Sequence, residues 1–160
     1  MAAAPLPARG APFVPTEIAV PQTPPSSFGV ADFARDLVGE DPGARTLAAR
    51  ALRRRARGLL RDAERARPGS EGEQEALIEL AAYDEVAAPR CIEALVHVDV
   101  VGACADLLGL LETQSATDAL QAAQQRTDRR RVERRIDRAL DRIQAAAESG
   151  APAPTDGGAP

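Results

Sequence analysis

Two stretches of this 160-residue chain repeat one another. In residues 100–111 the apolar positions are Val100, Cys104, Leu107, Leu108 and Leu111; in residues 132–143 they are Val132, Ile136, Ala139, Leu140 and Ile143. Both sets fall at i, i+4, i+7, i+8 and i+11, one stripe of an α-helix, and 32 residues separate them. A helix with a single apolar stripe cannot bury it alone, so the repeat predicts helices stacked over a shared core. Composition points the same way. Alanine fills 34 positions, and the only aromatic residues are Phe13, Phe28, Phe33 and Tyr83. Such a core relies on close backbone approach and on Leu, Ile and Val packing, which suits helices better than sheets.

Further helices are predicted upstream. Residues 45–67 carry Leu52, Ala56, Leu59, Leu60 and Ala63 in the same pattern, and Pro68-Gly69 ends them. Residues 73–83 follow, with Leu77, Ile78, Leu80 and Ala81 apolar. Ala88-Pro89 is expected to open a new helix bearing Ile92, Leu95 and Val96, with proline in the first turn where its missing N–H costs little. Asp99 stands as N-cap for 100–111, Ser115 for 116–125, and Thr127 or Asp128 for a last helix running to about Ala147. Ala88 corresponds to Ala116 and Ile92 to Leu120 at an offset of 28, so the helices sort into three pairs.

The run Ala105-Asp-Leu107-Leu108-Gly109-Leu-Leu111-Glu112-Thr-Gln-Ser-Ala116-Thr-Asp-Ala-Leu120, followed by Asp128-Arg-Arg-Arg-Val132-Glu-Arg134-Arg-Ile136-Asp-Arg-Ala139-Leu140-Asp-Arg-Ile143, resembles a HEAT repeat. It is most similar to the short bacterial type first described in phycobilisome lyases. That pattern has a Leu-Gly turn end, an Ala-x-x-x-Leu first helix, a loop Asp, then Val-Arg-x-x-Ala-x-x-Ala-Leu. Glu133 stands where the pattern has Arg, with Arg134 one place on, and Ile136 replaces a small Ala. The resemblance covers about residues 73–145. It implies an all-α fold: a short right-handed solenoid of about three antiparallel helix pairs. It carries over no lyase activity, because only the scaffold matches.

Residues 1–43 hold eight of the thirteen prolines and are read as an extended, flexible arm. Within it, 28–38 puts Val30, Phe33, Ala34, Leu37 and Val38 on one helical stripe. Three turns do not persist alone in water, so this segment docks either on its own domain or on another protein. Phe28, Val30, Phe33 and Leu37 are therefore candidate partner-binding residues. The helical domain is expected over 44–147, with a flexible tail over 148–160.

Charge is segregated beneath a net of −4. Residues 44–70 carry nine Arg against two acids, 71–125 carry one Arg against eleven acids, and 126–142 carry eight Arg against four acids. Every one of the 20 basic residues is Arg. Arg50, Arg53, Arg54, Arg57 and Arg61 recur at three- and four-residue steps and share one helical face. That face suits phosphates, although no aromatic side chains interleave for base stacking and the neighbouring segment is acidic.

Catalytic chemistry finds little support. His97 is the only histidine, and Cys91 lies six residues before it, roughly 120° away on one helix. Cys91 and Cys104 read as core residues, too few for a metal site or redox motif. No Gly-rich phosphate loop, paired metal ligands or calcium loop occurs, so no cofactor and no metal are expected. The N-terminus lacks a charged and then apolar leader, and no apolar run is long enough to span a bilayer, so a cytoplasmic protein with no membrane partner is expected. These features lead to a non-enzymatic protein–protein adaptor or assembly subunit, with nucleic-acid association through 45–67 as the alternative.

Overall fold

A computed structural model describes residues 25–150, the first four as helix backbone only. The described chain is helical throughout, without a strand: α1 (Pro25–Leu37), α2 (Pro42–Arg65), α3 (Glu71–Ala94), α4 (Val101–Leu110), a 3-10 turn (Gln114–Ala116), α5 (Thr117–Arg126) and α6 (Arg130–Gly150). The expected extended stretches before residue 25 and after residue 150 lie outside the described residues.

Prolines set the first boundaries differently from expectation. Pro42 opens α2 rather than closing an arm: Asp41 caps it, accepting from the amides of Gly43 (3.0 Å) and Ala44 (3.2 Å). Proline tolerates the first helical position because that amide has no helical acceptor anyway. Pro25 stands at the start of α1 in the same way. At Pro89 the opposite correction applies. No helix begins there, and α3 runs unbroken from Glu71 to Ala94. Pro89 and Glu85 are both exposed, so the Glu85 carbonyl that loses its helical donor faces water. The two helices expected over 73–96 are therefore one.

α3 begins at Glu71, two residues before the expected start. Ser70 caps it through the Glu73 amide (3.3 Å), and the Glu73 carboxylate accepts from the Gly69 amide. Gly69, with φ of 76°, supplies the left-handed residue of the preceding turn. Two other caps differ from expectation. Val100 and Ala116 precede α4 and α5 without side-chain capping, and Asp99 is engaged elsewhere. α6 extends to Gly150, three residues beyond the expected end.

α1, α2 and α3 pack against one another, and α4 lies on both α2 and α3. On its other side α4 packs along α6, which also carries α5. α4 is therefore the central helix, with Val101, Gly102, Cys104, Ala105, Leu107, Leu108 and Gly109 all buried. Both repeated stripes are buried: Cys104, Leu107 and Leu108 on α4, and their counterparts Ile136, Ala139 and, in part, Leu140 on α6. The helices approach closely at Gly109, where a Cβ would stand 2.8 Å from Ala139 Cα. α4 ends in a Schellman turn, with Thr113 N–H bonded to the Leu108 carbonyl and Glu112 N–H to that of Gly109. Glu112 takes the left-handed position at φ 54°, where glycine is usual.

α1 belongs to this core. Val30, Ala34 and Leu37 are buried, and Phe33 packs partly buried beside them. Arg45 locks the α1–α2 junction in place. It is 8% exposed, pairs with Asp99 (3.2 Å), and donates to the carbonyls of Gly39 (2.7 Å) and Glu40 (3.0 Å).

Candidate anion-binding groove

Along α2 the charged face stands opposite the buried one. Ala48, Leu52, Ala56 and Leu59 enter the core, while Arg50, Arg54, Arg57 and Arg61 are exposed and Arg53 is half-buried. On α6 the buried residues Ile136, Ala139 and Ile143 are flanked by a second row, Arg131, Arg135, Arg138 and Arg142. α4 lies between α2 and α6 and lines the groove mostly with small residues: buried Gly102 and Gly109, and half-buried Ala103, Asp106 and Leu110. Arg135 lies so close over Gly102 that a Cβ there would stand 2.9 Å from a guanidinium nitrogen.

The result is an open groove of about 1570 Å³. α2 contributes Arg50 and Arg53; α6 and the residue before it contribute Arg129, Arg130, Arg131, Arg134, Arg135 and Arg138. A smaller hollow of about 360 Å³ continues it past Asp106 to Arg57 and Arg142. The sequence places these rows about 80 residues apart with an acidic block between them. The fold brings the rows together and keeps most of that block away. Among α3 carboxylates, Glu79 pairs with Arg55 (3.0 Å) and Glu93 with Arg90 (3.0 Å), and none lines the groove.

Of the carboxylates lining the groove and its continuation, Asp99, Asp106 and Asp137 are engaged, while Asp141, in the continuation, has no side-chain partner among the described residues. Asp106 accepts from Arg53 (3.0 Å) and lies 3.6 Å from Arg135. Asp99 holds Arg45, and Asp137 accepts from Gln124. Arg50, Arg129, Arg130, Arg131, Arg134 and Arg138 have no carboxylate partner among the described residues. Three consecutive arginines, Arg129–Arg131, also surround the positive end of the α6 dipole, where cations are unfavourable. Locally unfavourable charge of this kind collects where a protein binds something.

The sequence had marked Arg50, Arg53, Arg54, Arg57 and Arg61 as one basic face. The structure keeps them on one face, takes Arg50, Arg53 and Arg57 into the groove and its continuation, and leaves Arg54 and Arg61 outside. The α6 row was visible only as net charge. Of the candidate partner-binding residues, Val30 and Leu37 are sealed in the core and Phe33 packs against it. In the described fold, then, α1 packs on its own domain, with Val30 and Leu37 buried and Phe33 keeping part of its surface. The Phe28 side chain lies outside the described residues.

The thiols of Cys91 and Cys104 meet in the core, both fully buried and free of disulfide. Their mutual hydrogen bond, followed by burial, holds Cys91 well above the ordinary thiol range. The His97 side chain makes no hydrogen bond among the described residues. No described helix is long and apolar enough to cross a membrane. No protein-family model, no curated protein and no solved structure matches the chain.

Proposed function

We propose that this protein is a non-enzymatic binding scaffold, a short HEAT-like solenoid whose working surface is the arginine groove between α2 and α6. It holds an anionic stretch of a partner macromolecule. The observation that carries this is the meeting of two arginine rows beside the small residues of α4, with six guanidinium groups lacking a carboxylate partner among the described residues. The solenoid reading is supported by the buried stripes repeating 32 residues apart on α4 and α6, two helices that pack on one another, although α3, a single long helix, departs from strict helix pairs. Enzymatic chemistry gains no support from buried thiols without a base beside them.

A second reading, an acidic protein segment as occupant, rests on the exposed Val98 at the groove and Val96 near it in sequence, each 63% exposed. An acidic segment carrying a few apolar side chains would fit there.

Retention on a sulfated-polysaccharide matrix tests the groove itself. A chain of net charge −4 is held there only through a local cationic patch. The Arg50→Ser/Arg138→Ser variant should elute at clearly lower salt than the native protein. Arg90→Ser, on α3 and outside the groove, should elute with the native protein. Identical elution of all three would refute the assignment.

A further inference from the structure

Taking the groove as the working surface proposed above, we infer that its occupant is the phosphate backbone of a nucleic-acid duplex, gripped without readout of base sequence. The first ground is chemical. Every cation in the groove is a guanidinium, whose planar fork matches a pair of phosphate oxygens. Six of them carry no carboxylate partner among the described residues, so the fold leaves their charge for something outside it.

The second ground is what the lining does not offer. Tight protein–protein contacts centre on a large apolar or aromatic anchor seated in a pocket. Here the largest apolar side chains are Val98, at 63% exposure, and the half-buried Val132. Single strands are held by stacking their bases on aromatic rings, and no aromatic residue lines the groove. A duplex backbone requires neither, because its affinity comes from charge neutralised along a line.

The third ground is spacing. Arg50, Arg53 and Arg57 on α2, and Arg131, Arg134 and Arg138 on α6, advance in three- and four-residue steps. Each row therefore presents a charge about every 4.5–6 Å along its axis. Where α4 lines the groove between the rows it offers only Gly102 and Ala103. Regularly spaced cations in two rows suit a polymer with regularly spaced anions better than a single acidic side chain. Of the carboxylates beside the rows, Asp106 is already held from both sides by Arg53 and Arg135.

Fluorescence anisotropy on the full chain tests this with four labelled probes: two duplexes of about 20 base pairs and unrelated sequence, a single strand of equal length, and poly-glutamate. If about five phosphates are neutralised, duplex affinity falls with salt at a log–log slope of about −4.5. The two duplexes should agree within about twofold, as expected when contacts go to phosphates rather than bases. Arg50→Ser/Arg138→Ser should weaken binding at least about tenfold and reduce the slope by about 2, while Arg90→Ser leaves both unchanged. Poly-glutamate bound as tightly as duplex, or single strand bound more tightly, overturns the duplex inference and leaves the groove standing. Failure of all four probes to bind, or binding indifferent to the double variant, removes the groove assignment as well.

Discussion

Replacing Gly109 by alanine probes the contact between α4 and α6 directly. In an open helix the change is favourable, since alanine exceeds glycine in helix propensity by about 1 kcal/mol. At Gly109 the new Cβ would stand 2.8 Å from Ala139 Cα and 2.9 Å from Ala139 Cβ. Carbon atoms rest comfortably at about 3.5–4.0 Å, so the helices must separate by roughly 0.7 Å or more. One of the two opposing atoms is backbone and cannot rotate away, which places the overpacking cost in the upper part of the usual ~1–3 kcal/mol. The net expectation is a loss of about 1–2 kcal/mol. Urea unfolding followed by circular dichroism would read it as a midpoint lowered by about 0.5–1 M, taking a slope of about 2 kcal/mol/M. Gly58→Ala is the control: no atom lies within 4 Å of its Cβ position, so the midpoint should rise by about 0.2–0.5 M. Ala139→Gly combined with Gly109→Ala removes one of the two contacts and should recover part of the loss. A Gly109→Ala protein that unfolds at or above the native midpoint would refute the close approach.

Four other outcomes are expected. Arg45→Ala removes the partner of Asp99 and the donors to Gly39 and Glu40, and should cost about 2 kcal/mol in denaturant unfolding, reduced from the usual cost of splitting a buried pair because Asp99 keeps some contact with water. Glu112→Gly relieves a left-handed residue and should stabilise by about 0.5 kcal/mol on the same curves. Tyr83 is held above the ordinary phenol range by burial first and by Glu79 second, so its absorbance titration should run at higher pH in the folded protein than in urea. Because the folded state keeps that proton longer, the stabilisation is full below about pH 10 and is lost as pH rises through the folded-state value. Cys91 and Cys104 are fully buried, so thiol reagents at neutral pH should label them only as fast as the fold opens, and both together in urea.

Periodicity made much of the fold legible. The stripes of α2, α4 and α6 are buried as their spacing requires, and Pro68-Gly69 marks the turn after α2. Prolines were harder to read, because their effect depends on which amide they remove. At Pro25 and Pro42 they stand in a first turn, where the loss is harmless, although reading 1–43 as an arm passed over Asp41-Pro42 as a helix start. At Pro89 the orphaned carbonyl faces solvent, so packing on either side carried the helix through. Asp99 looked like a cap from its place before α4, yet the buried guanidinium of Arg45, 54 residues away, claims it. The groove was half visible. Steps of three and four residues revealed the α2 row, but its meeting with α6 depends on α4 lying between them, a tertiary fact that no local spacing encodes.

The placement of α1 decides where this molecule can be cut. Its Val30, Ala34 and Leu37 cover apolar surface on α2 and α3, so the folded unit takes in α1 and does not start with the arginine-rich helix. A fragment starting at residue 44 would keep both basic rows while baring an oily trench on the opposite flank. Clumping of such a fragment would then say nothing about the grooved side, which would still be intact.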